Sequence, residues 1–520
     1  MTKKIALTAA LLASFLHLAA GGKGDWAEAL DKAESIAVLV EQNYVQRQEP
    51  QKLAFASIRG ALETLDPHSY FLDPDMLSRM REDYTGKFYG LGIQITKQED
   101  RLVVIACIEG TPASRLGIQP GDVIATIDGE STKPLSSFEA MQKLRGPKGT
   151  KVTITVIREG FDTPFELTVI REEIPLHSVS YAFLLDDKIG YIYIRTFSET
   201  TVAEVEAKIA ELRARGMESL ILDLRWNQGG PFFPSLELAD EFLSKGSLIV
   251  SIRGRNKSYD REFRALRDGQ HERIPLVVLV NQISASASEI VAGAVMDNDR
   301  GLIVGEDSWG KGLVQTVFPL GPNVAVALTT AKYYTPSGRS IQRDYSRIED
   351  YYLNQGVSQE SREVRFTSRG RKVLGQGGIT PDYKVPLTLK SLTAELTFRG
   401  AFFSYGRKFV AHQTPLSKTY RIPQDKGISE EAAGRTIVLD KTFTAGADVV
   451  ADFKGYLSSL KLEYSAERFA EAEDEIKKEI EREVVSSAWN LEEGMRVYRR
   501  KDPVVQKAVG VMSEAAGFIR

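Results

Sequence analysis

PLVVLVNQISASASEIVAGAVMDN, residues 275–298, decides how this chain folds. Its first part is an unbroken apolar run rich in valine, with no alternation of polar residues. A strand buried on both faces reads this way, as in a parallel sheet covered by helices. Its second part, from Ser286, satisfies the S-x-x-E capping pattern and runs into a long apolar stretch, which predicts a helix. Similar units lie on either side. KIGYIYIRTF (188–197), SLILDLR (219–225), LIVSIRG (248–254), LIVGE (302–306) and VAVALTTAKYYT (324–335) read as strands. TVAEVEAKIAELRARG (201–216) and SLELADEFLSKG (235–246) read as helices closed by Gly216 and Gly246. Apolar strands alternating with helices predict an α/β core.

The chain has 520 residues, too many for one core, so three or four domains are expected. Residues 86–173 switch to short β-type runs (YGLGIQIT, RLVVIACI, DVIATIDG, KVTITVIRE) punctuated by Gly, Pro and Asp, which predicts a compact β-rich module. Residues 23–85 are helix-patterned and too few for an independent core, so they are expected to pack on another domain or a second subunit. Residues 174–389 form the α/β core, with a polar stretch at 344–375 read as a surface insertion. Residues 390–520 are mainly helical, and AERFAEAEDEIKKEIEREVVSSAW carries an apolar stripe suited to a solvated bundle or to subunit pairing. Residues 1–22, with a basic start and about sixteen mostly apolar residues, predict a cleaved export signal and a periplasmic location, with an uncleaved membrane anchor as the alternative.

Net charge is -3, from 67 basic and 70 acidic residues, which argues against a molecule-wide nucleic-acid surface. The single cysteine, Cys107, lies in an apolar run and reads as a small buried hydrophobe. Histidines at 17, 68, 177, 271 and 412 show no metal-ligand spacing, so no metal and no cofactor are expected.

Ser286 and Glu289 could be a helix cap and nothing more. Three features favour chemistry at Ser286. The helix starts just beyond a strand end, where α/β sheets bind ligands. Free N–H groups at a helix start can hold an oxyanion, and that of Ala287 follows the serine directly. Ala285 and Ala287 leave room for a peptide backbone. A serine hydroxyl needs a base. His271, in RDGQHER, is the nearest histidine in sequence, and its distance in space is not given by the sequence. Lys311, in GEDSWGKGLVQ, is another candidate, because dry surroundings can keep a lysine amine uncharged. Alone it reads as a solvated turn residue.

NQISASASEIVAGAVMDN followed by GEDSWGKGLVQ resembles the active-site signature of the carboxyl-terminal processing peptidases, or tail-specific proteases, of the S41 family. LDPHSYFLD (65–73), YGLGIQI (89–95), GTPASRLGIQPGDVIATIDG (110–129), LDLRWNQGG (222–230) and TTAKYYTPSGRSIQ (329–342) occur in the family's order. The resemblance implies a crotonase/ClpP-like protease core with an inserted PDZ domain. It places the nucleophile on Ser286, the base on Lys311, a third polar member on Gln315, and oxyanion donors on the N–H groups of Ala287 and Gly229. The family usually reads LRNNPGG where this chain has Trp226 and Gln228, which leaves the loop's shape open.

The PDZ resemblance implies a groove at Tyr89, Gly90, Leu91, Gly92 and Ile93. Backbone N–H groups there would hold a terminal carboxylate, and Leu91 and Ile93 would border the last side chain. Arg145, closing the module's helix, is a candidate to couple peptide binding to the core. The partners expected are protein substrates with exposed apolar C-terminal tails, an activating adaptor protein and further copies of the chain, but no nucleic acid. The competing readings are an inactive PDZ scaffold and a hydratase on a crotonase-like core. The intact Ser286, Lys311 and Gln315 oppose the first, and the export segment and PDZ-like insert oppose the second.

Overall fold

The computed structural model describes residues 23–98, 100–158, 160–186, 188–353, 362–387, 389–418 and 440–519. The expected export segment, 1–22, lies outside them. Among the described residues no helix is long and apolar enough to cross a membrane. The chain divides into two compact units.

The first unit comprises residues up to Asp75 together with Thr316–Leu328. It holds the helices Lys23–Asn43 and Pro50–Glu63, the second opened by Pro50, whose missing N–H costs nothing at a helix start. The DPHS turn forms because Asp66 accepts from the His68 N–H at 2.8 Å and the Ser69 hydroxyl at 2.7 Å. The strand Tyr70–Leu72 follows and pairs antiparallel with 325–327. Phe55 packs on Phe71, 4.7 Å between ring centres. Helix Pro50–Glu63 buries no residue, and Ile36 and Leu39 on the first helix are exposed.

The second unit, Met76–Gln315 with Thr329–Arg520, contains the β-rich module, the α/β core and the C-terminal helices. The module is an antiparallel sheet of Ile93–Gln98, Arg101–Cys107, Val123–Ile127, Lys151–Ile157 and Phe165–Ile170 in that order, with Glu130–Ser131 at the side. Helix Ser137–Leu144 starts in a complete capping box of Ser136 and Glu139. Lys87–Gly90 pairs with Glu172–Pro175, so the module leaves and rejoins the chain at one place. Cys107 is half-buried and donates to the Ile118 carbonyl at 3.1 Å. Burial pushes its thiol pKa up to about 11, which keeps it an unreactive thiol at neutral pH.

The core sheet runs Val179–Leu184, Ile189–Ile194, Ser219–Asp223, Leu276–Val280, Leu302–Gly305, Tyr383–Lys384. The first pair is antiparallel and the remaining pairs are parallel. Leu276–Val280 is buried throughout, and the reason is visible in its two faces. Leu220, Leu222, Val278, Val280 and Ile303 pack with helices Thr201–Ala214, Phe232–Asp240 and Ala287–Asp297. Ile221, Val277, Leu279, Leu302 and Val304 pack with Met495, Val504, Val505, Ala508, Val511, Met512 and Ala515. Alternate residues of one strand thus bury against different helices.

Three segments depart from the sequence reading. LIVSIRG is a strand, yet it joins a second sheet and pairs with 331–334, not with the core sheet. The helix expected at 235–246 spans Phe232–Asp240, and Gly246 instead serves a turn whose N–H reaches the Ala265 carbonyl. In the polar stretch at 344–375, of which 354–361 lie outside the described residues, most described residues are exposed, but a few turn inward. Tyr351 is fully buried, and Thr367 and Arg371 bond Asp299 at 2.9 and 2.7 Å. Polar composition suggested solvent there, but the polar groups pair with one another. The stripe of helix Ala466–Ala488 is buried within the chain, where Phe469, Ala472, Ile476, Ile480 and Val484 pack on helices Ala401–Val410 and Ala447–Ser459.

A buried Val or Met side chain contributes about 1.5–3 kcal/mol. Met495, Val504, Val505, Val511 and Met512 together therefore match the net stability of about 5–15 kcal/mol typical of a whole domain. Removing residues 491–520 is expected to abolish soluble, cooperatively folded protein. A truncated chain that melts like the full chain in calorimetry would contradict this packing.

Candidate active site

Strands Ser219–Asp223 and Leu276–Val280 lie parallel, Asp223 beside Leu279, so the loops after them leave the sheet together. Four hydrogen bonds join those loops. The Ser284 hydroxyl donates to the Leu224 carbonyl at 2.8 Å, and the Trp226 N–H to Asn281 Oδ1 at 2.9 Å. The Ala285 N–H and the Ser288 hydroxyl both donate to the Asn227 carbonyl, at 3.0 and 2.9 Å. Two of the three alternating serines therefore have structural duties, and both are wholly buried. Ser286 stands between them and is half-buried.

Ser286 has φ 55° and ψ -113°, a conformation that costs a non-glycine residue about 1–3 kcal/mol. Such strain persists where surrounding bonds over-determine it. The helix begins at Ala287, and an N–H at the first helical position has no carbonyl within its own helix to reach. Gly229 lies against this point with φ 102°, and a Cβ there would come within 2.9 Å of Ser286 Cβ and 3.0 Å of the Ala287 nitrogen. Only glycine fits. The Gly229 N–H donates to Asn227 Oδ1 at 2.8 Å, so in this conformation it is turned to its own loop. Asn227 Nδ2 in turn donates to the Ile194 carbonyl at 2.9 Å. Trp226 occupies φ 65° with its side chain largely exposed, a backbone region that suits asparagine better than tryptophan.

Glu289, read from sequence as half of a helix cap, does more. Its Oε2 accepts from the Ser286 N–H at 2.8 Å and from the Lys311 N–H at 2.9 Å. Its Oε1 accepts from the Ser308 hydroxyl and the Gly310 N–H, both at 2.6 Å. One fully buried carboxylate thus ties the serine's backbone to the lysine's. Burial pushes the Glu289 carboxyl above its ordinary pKa, and the bonds from Ser308, Lys311, Gly310 and Ser286 pull it back down. The lysine loop is fixed at further points. The Trp309 N–H donates to the Ser284 carbonyl at 2.9 Å, its indole N–H to the Tyr351 hydroxyl at 2.9 Å, and the Gly312 N–H to Gln342 Oε1 at 2.8 Å. Lys311 is half-buried, as is Gln315, whose Nε2 donates to Thr329 Oγ1 at 3.2 Å. In strand Leu313–Gly321, which follows Lys311 closely, Leu313 and Gln315 share one side by alternation. The buried Tyr333 hydroxyl donates to the Ser286 carbonyl at 3.3 Å.

Among the described residues, His271 is engaged elsewhere, with Glu206 and Phe242. It is buried, its Nε2 lies 2.7 Å from Glu206 Oε1, and its ring packs on Phe242. Glu206, Glu241 and His271 bring metal-ligating atoms within 4.8 Å of one another, a grouping that sequence spacing did not reveal. The His271–Glu206 contact and the ion pair of Arg267 with Glu241 bridge it internally.

In the β-rich module, carbonyls of the 89–93 loop are tied inward. Ala113 N–H donates to the Leu91 carbonyl at 3.0 Å, Ile108 N–H to that of Gly92 at 2.9 Å, and Gly146 N–H to that of Tyr89 at 3.4 Å. Gly92 has φ 81°, and a Cβ there would strike Thr111 at 2.3 Å. Leu91 is buried in the module's core, Ile93 is half-buried, and Gly90 faces Phe88 and Arg145. Tyr89 is exposed beside Glu173. Arg145 places Nη1 2.5 Å from Glu82 Oε2 and stacks over Phe88 at 4.3 Å, so it ties the module to helix Pro74–Thr85. The same helix carries Tyr84, whose carbonyl accepts from the Glu199 N–H of the core at 2.8 Å.

Glu289→Gln is the direct test of the buried carboxylate. A carboxamide nitrogen accepts nothing, so two of the four donors lose their acceptor. At about 1–3 kcal/mol for each stranded donor, a loss of about 2–6 kcal/mol is expected in urea unfolding. An unchanged midpoint would contradict the assignment.

The chain is similar to known proteins. Residues 188–351 match the family model described as Peptidase family S41, and residues 90–169 match that of the PDZ domain. The carboxy-terminal-processing protease of Bartonella bacilliformis is 41% identical over 307 residues, 58% of this chain and 70% of that one. The carboxyl-terminal-processing protease of Synechocystis is 37% identical over 316 residues, 59% of this chain and 72% of that one. Among solved structures, a photosystem II D1 C-terminal processing protease is 27% identical with a TM-score of 0.37, covering 70% of this chain and 94% of that one. The chain that holds Ser286 and Lys311 through one buried glutamate belongs to peptidase family S41, among the carboxy-terminal processing proteases with a PDZ domain.

Proposed function

We propose that this protein is a serine endopeptidase that cleaves protein substrates near their C-termini with a Ser286/Lys311 dyad. The observation that carries the proposal is selective. Of three alternating serines, two bond loop carbonyls, while Ser286 is half-buried, strained and joined to the lysine loop through Glu289. In the reaction, Lys311 as free amine takes the Ser286 proton as the oxygen adds to the peptide carbonyl. The Ala287 and Gly229 N–H groups hold the resulting oxyanion, a contribution of about 10²–10³ in rate per donor. For Gly229 this requires its N–H to leave Asn227 Oδ1, so the described conformation is a resting one, and substrate arrival turns the loop. Lys311 then protonates the leaving amine, Gln315 orients the lysine, and water releases the acyl-enzyme.

The PDZ domain selects the substrate. A peptide adds at the edge of strand Ile93–Gln98, with its carboxylate at the N–H groups of 90–93. Arg145, through Glu82, carries the presence of a peptide toward the core. We further propose export to the periplasm, self-association through the exposed apolar residues of helix Lys23–Asn43, and stimulation by an adaptor protein.

Two measurements test this. In β-casein digestion, Ser286→Ala and Lys311→Ala are each expected to lower turnover at least about a thousandfold; near-native cleavage by either would refute the dyad. A peptide with a free, apolar C-terminus should be cut at least about tenfold faster than its amidated form, as losing a charge-assisted hydrogen bond implies. Equal rates would refute carboxylate recognition.

A further inference from the structure

Behind the Gly229 loop lies a cluster of buried charge that the catalytic reading does not use. Asp223 ends its strand, and Arg225 returns to it, with Nε 3.0 Å and Nη2 2.6 Å from Asp223 Oδ2. Arg225 Nη1 lies 2.9 Å from Asp502 Oδ2. Arg499 Nη1 bonds the same Asp502 oxygen at 2.8 Å, and its Nη2 reaches the Tyr181 hydroxyl at 3.2 Å. The Tyr191 hydroxyl bonds Asp223. Side chains of Asp223, Arg225 and Asp502 are 0, 1 and 3% exposed. The four charges balance, two carboxylates against two guanidinium groups, so each is compensated only while the others stay.

Its place in the chain gives this cluster a consequence. Arg225 sits between Leu224, whose carbonyl accepts from Ser284, and Trp226, whose N–H donates to Asn281. Asn227 and Gly229 follow at once. The Arg225 side chain therefore fixes the start of the loop that faces Ser286, and it is fixed from outside the catalytic region. Asp502 lies far beyond residues 188–351, which match the peptidase family model. It also caps helix Pro503–Gly510, accepting from the Val504 N–H at 2.9 Å, so the helix that covers the sheet and the anion that holds the loop are one construction.

We infer that Asp502 is a positioning residue for the oxyanion loop, acting through Arg225 on Gly229. The inference rests on the proposed role of that loop. In the full-length chain, Asp502→Asn keeps the helix cap, since asparagine caps well, and removes the charge. Val505→Ala loosens the packing of the same helix but keeps the backbone N–H that donates to Asp502 Oδ1 at 3.4 Å and leaves all four charges in place. With a peptide substrate, Asp502→Asn is expected to lower kcat at least about tenfold with KM within about twofold, as expected for a misplaced oxyanion donor. It should weaken a peptide aldehyde, which mimics the oxyanion adduct, by a similar factor. Val505→Ala should lower the melting temperature while holding kcat within about twofold.

The double variant Asp502→Asn/Arg225→Met, which restores charge balance, should regain melting temperature but not kcat. The inference is overturned if Asp502→Asn keeps kcat, if Val505→Ala loses as much, or if the double variant recovers kcat together with stability. Should the unmutated chain hydrolyse nothing, the proposed function fails. The clamp is then decided by amide hydrogen exchange at 225–230. Faster exchange in Asp502→Asn than in Val505→Ala supports it, and equal exchange refutes it.

Discussion

A carboxylate with no exposure to water holds this site together. Glu289 accepts four hydrogen bonds, from Ser286, Ser308, Gly310 and Lys311, and so joins the backbones on both sides of the proposed dyad. The arrangement is costly by nature, because burial disfavours its charge. Four donors offset that cost, and they do so only when the helix start and the lysine loop are both in place. The carboxylate therefore makes the two segments fold as one. The strained backbone of Ser286 follows from the same constraint. Its N–H is held by Glu289, its carbonyl by Tyr333, and Ala285 before it and Ser288 two residues after it both bond Asn227.

The second constraint is the closeness of two loops at the sheet's edge. Ser284, Ala285 and Ser288 on one side meet Leu224 and Asn227 on the other. That contact admits only glycine at 229, and it brings a second set of N–H groups toward the serine. Asn227 occupies the Gly229 N–H in this conformation, so the proposed oxyanion role requires that loop to turn. The C-terminal helices belong to the same construction. They cover one whole face of the core sheet, and through Asp502 they reach the root of the loop.

Much of this was legible in the sequence because it is local. Unbroken apolar runs marked strands buried on both faces, and Ser-x-x-Glu marked the helix start at 286. The order of several motifs placed the chain in its family. What escaped the sequence is what depends on distant partners. Nothing in LIVSIRG says which sheet it joins, since both sheets accept an apolar strand. The polar stretch at 344–375 read as solvated throughout because composition cannot show that Arg371 and Thr367 face a buried Asp299. Glu289 was visible only as a cap, because its other three donors come from a loop about twenty residues on. Asp502 and Arg225 are separated by most of the protease core, and no spacing rule links them.

The central claim is that Ser286, alone of the three alternating serines, is a nucleophile held in place by Glu289. Mass spectrometry of the full-length protein after reaction with a fluorophosphonate tests it most directly. The account predicts a single adduct mapped to Ser286, formed far more slowly in Glu289→Gln. An adduct on Ser284 or Ser288, or none on Ser286 while β-casein is being cut, would contradict it.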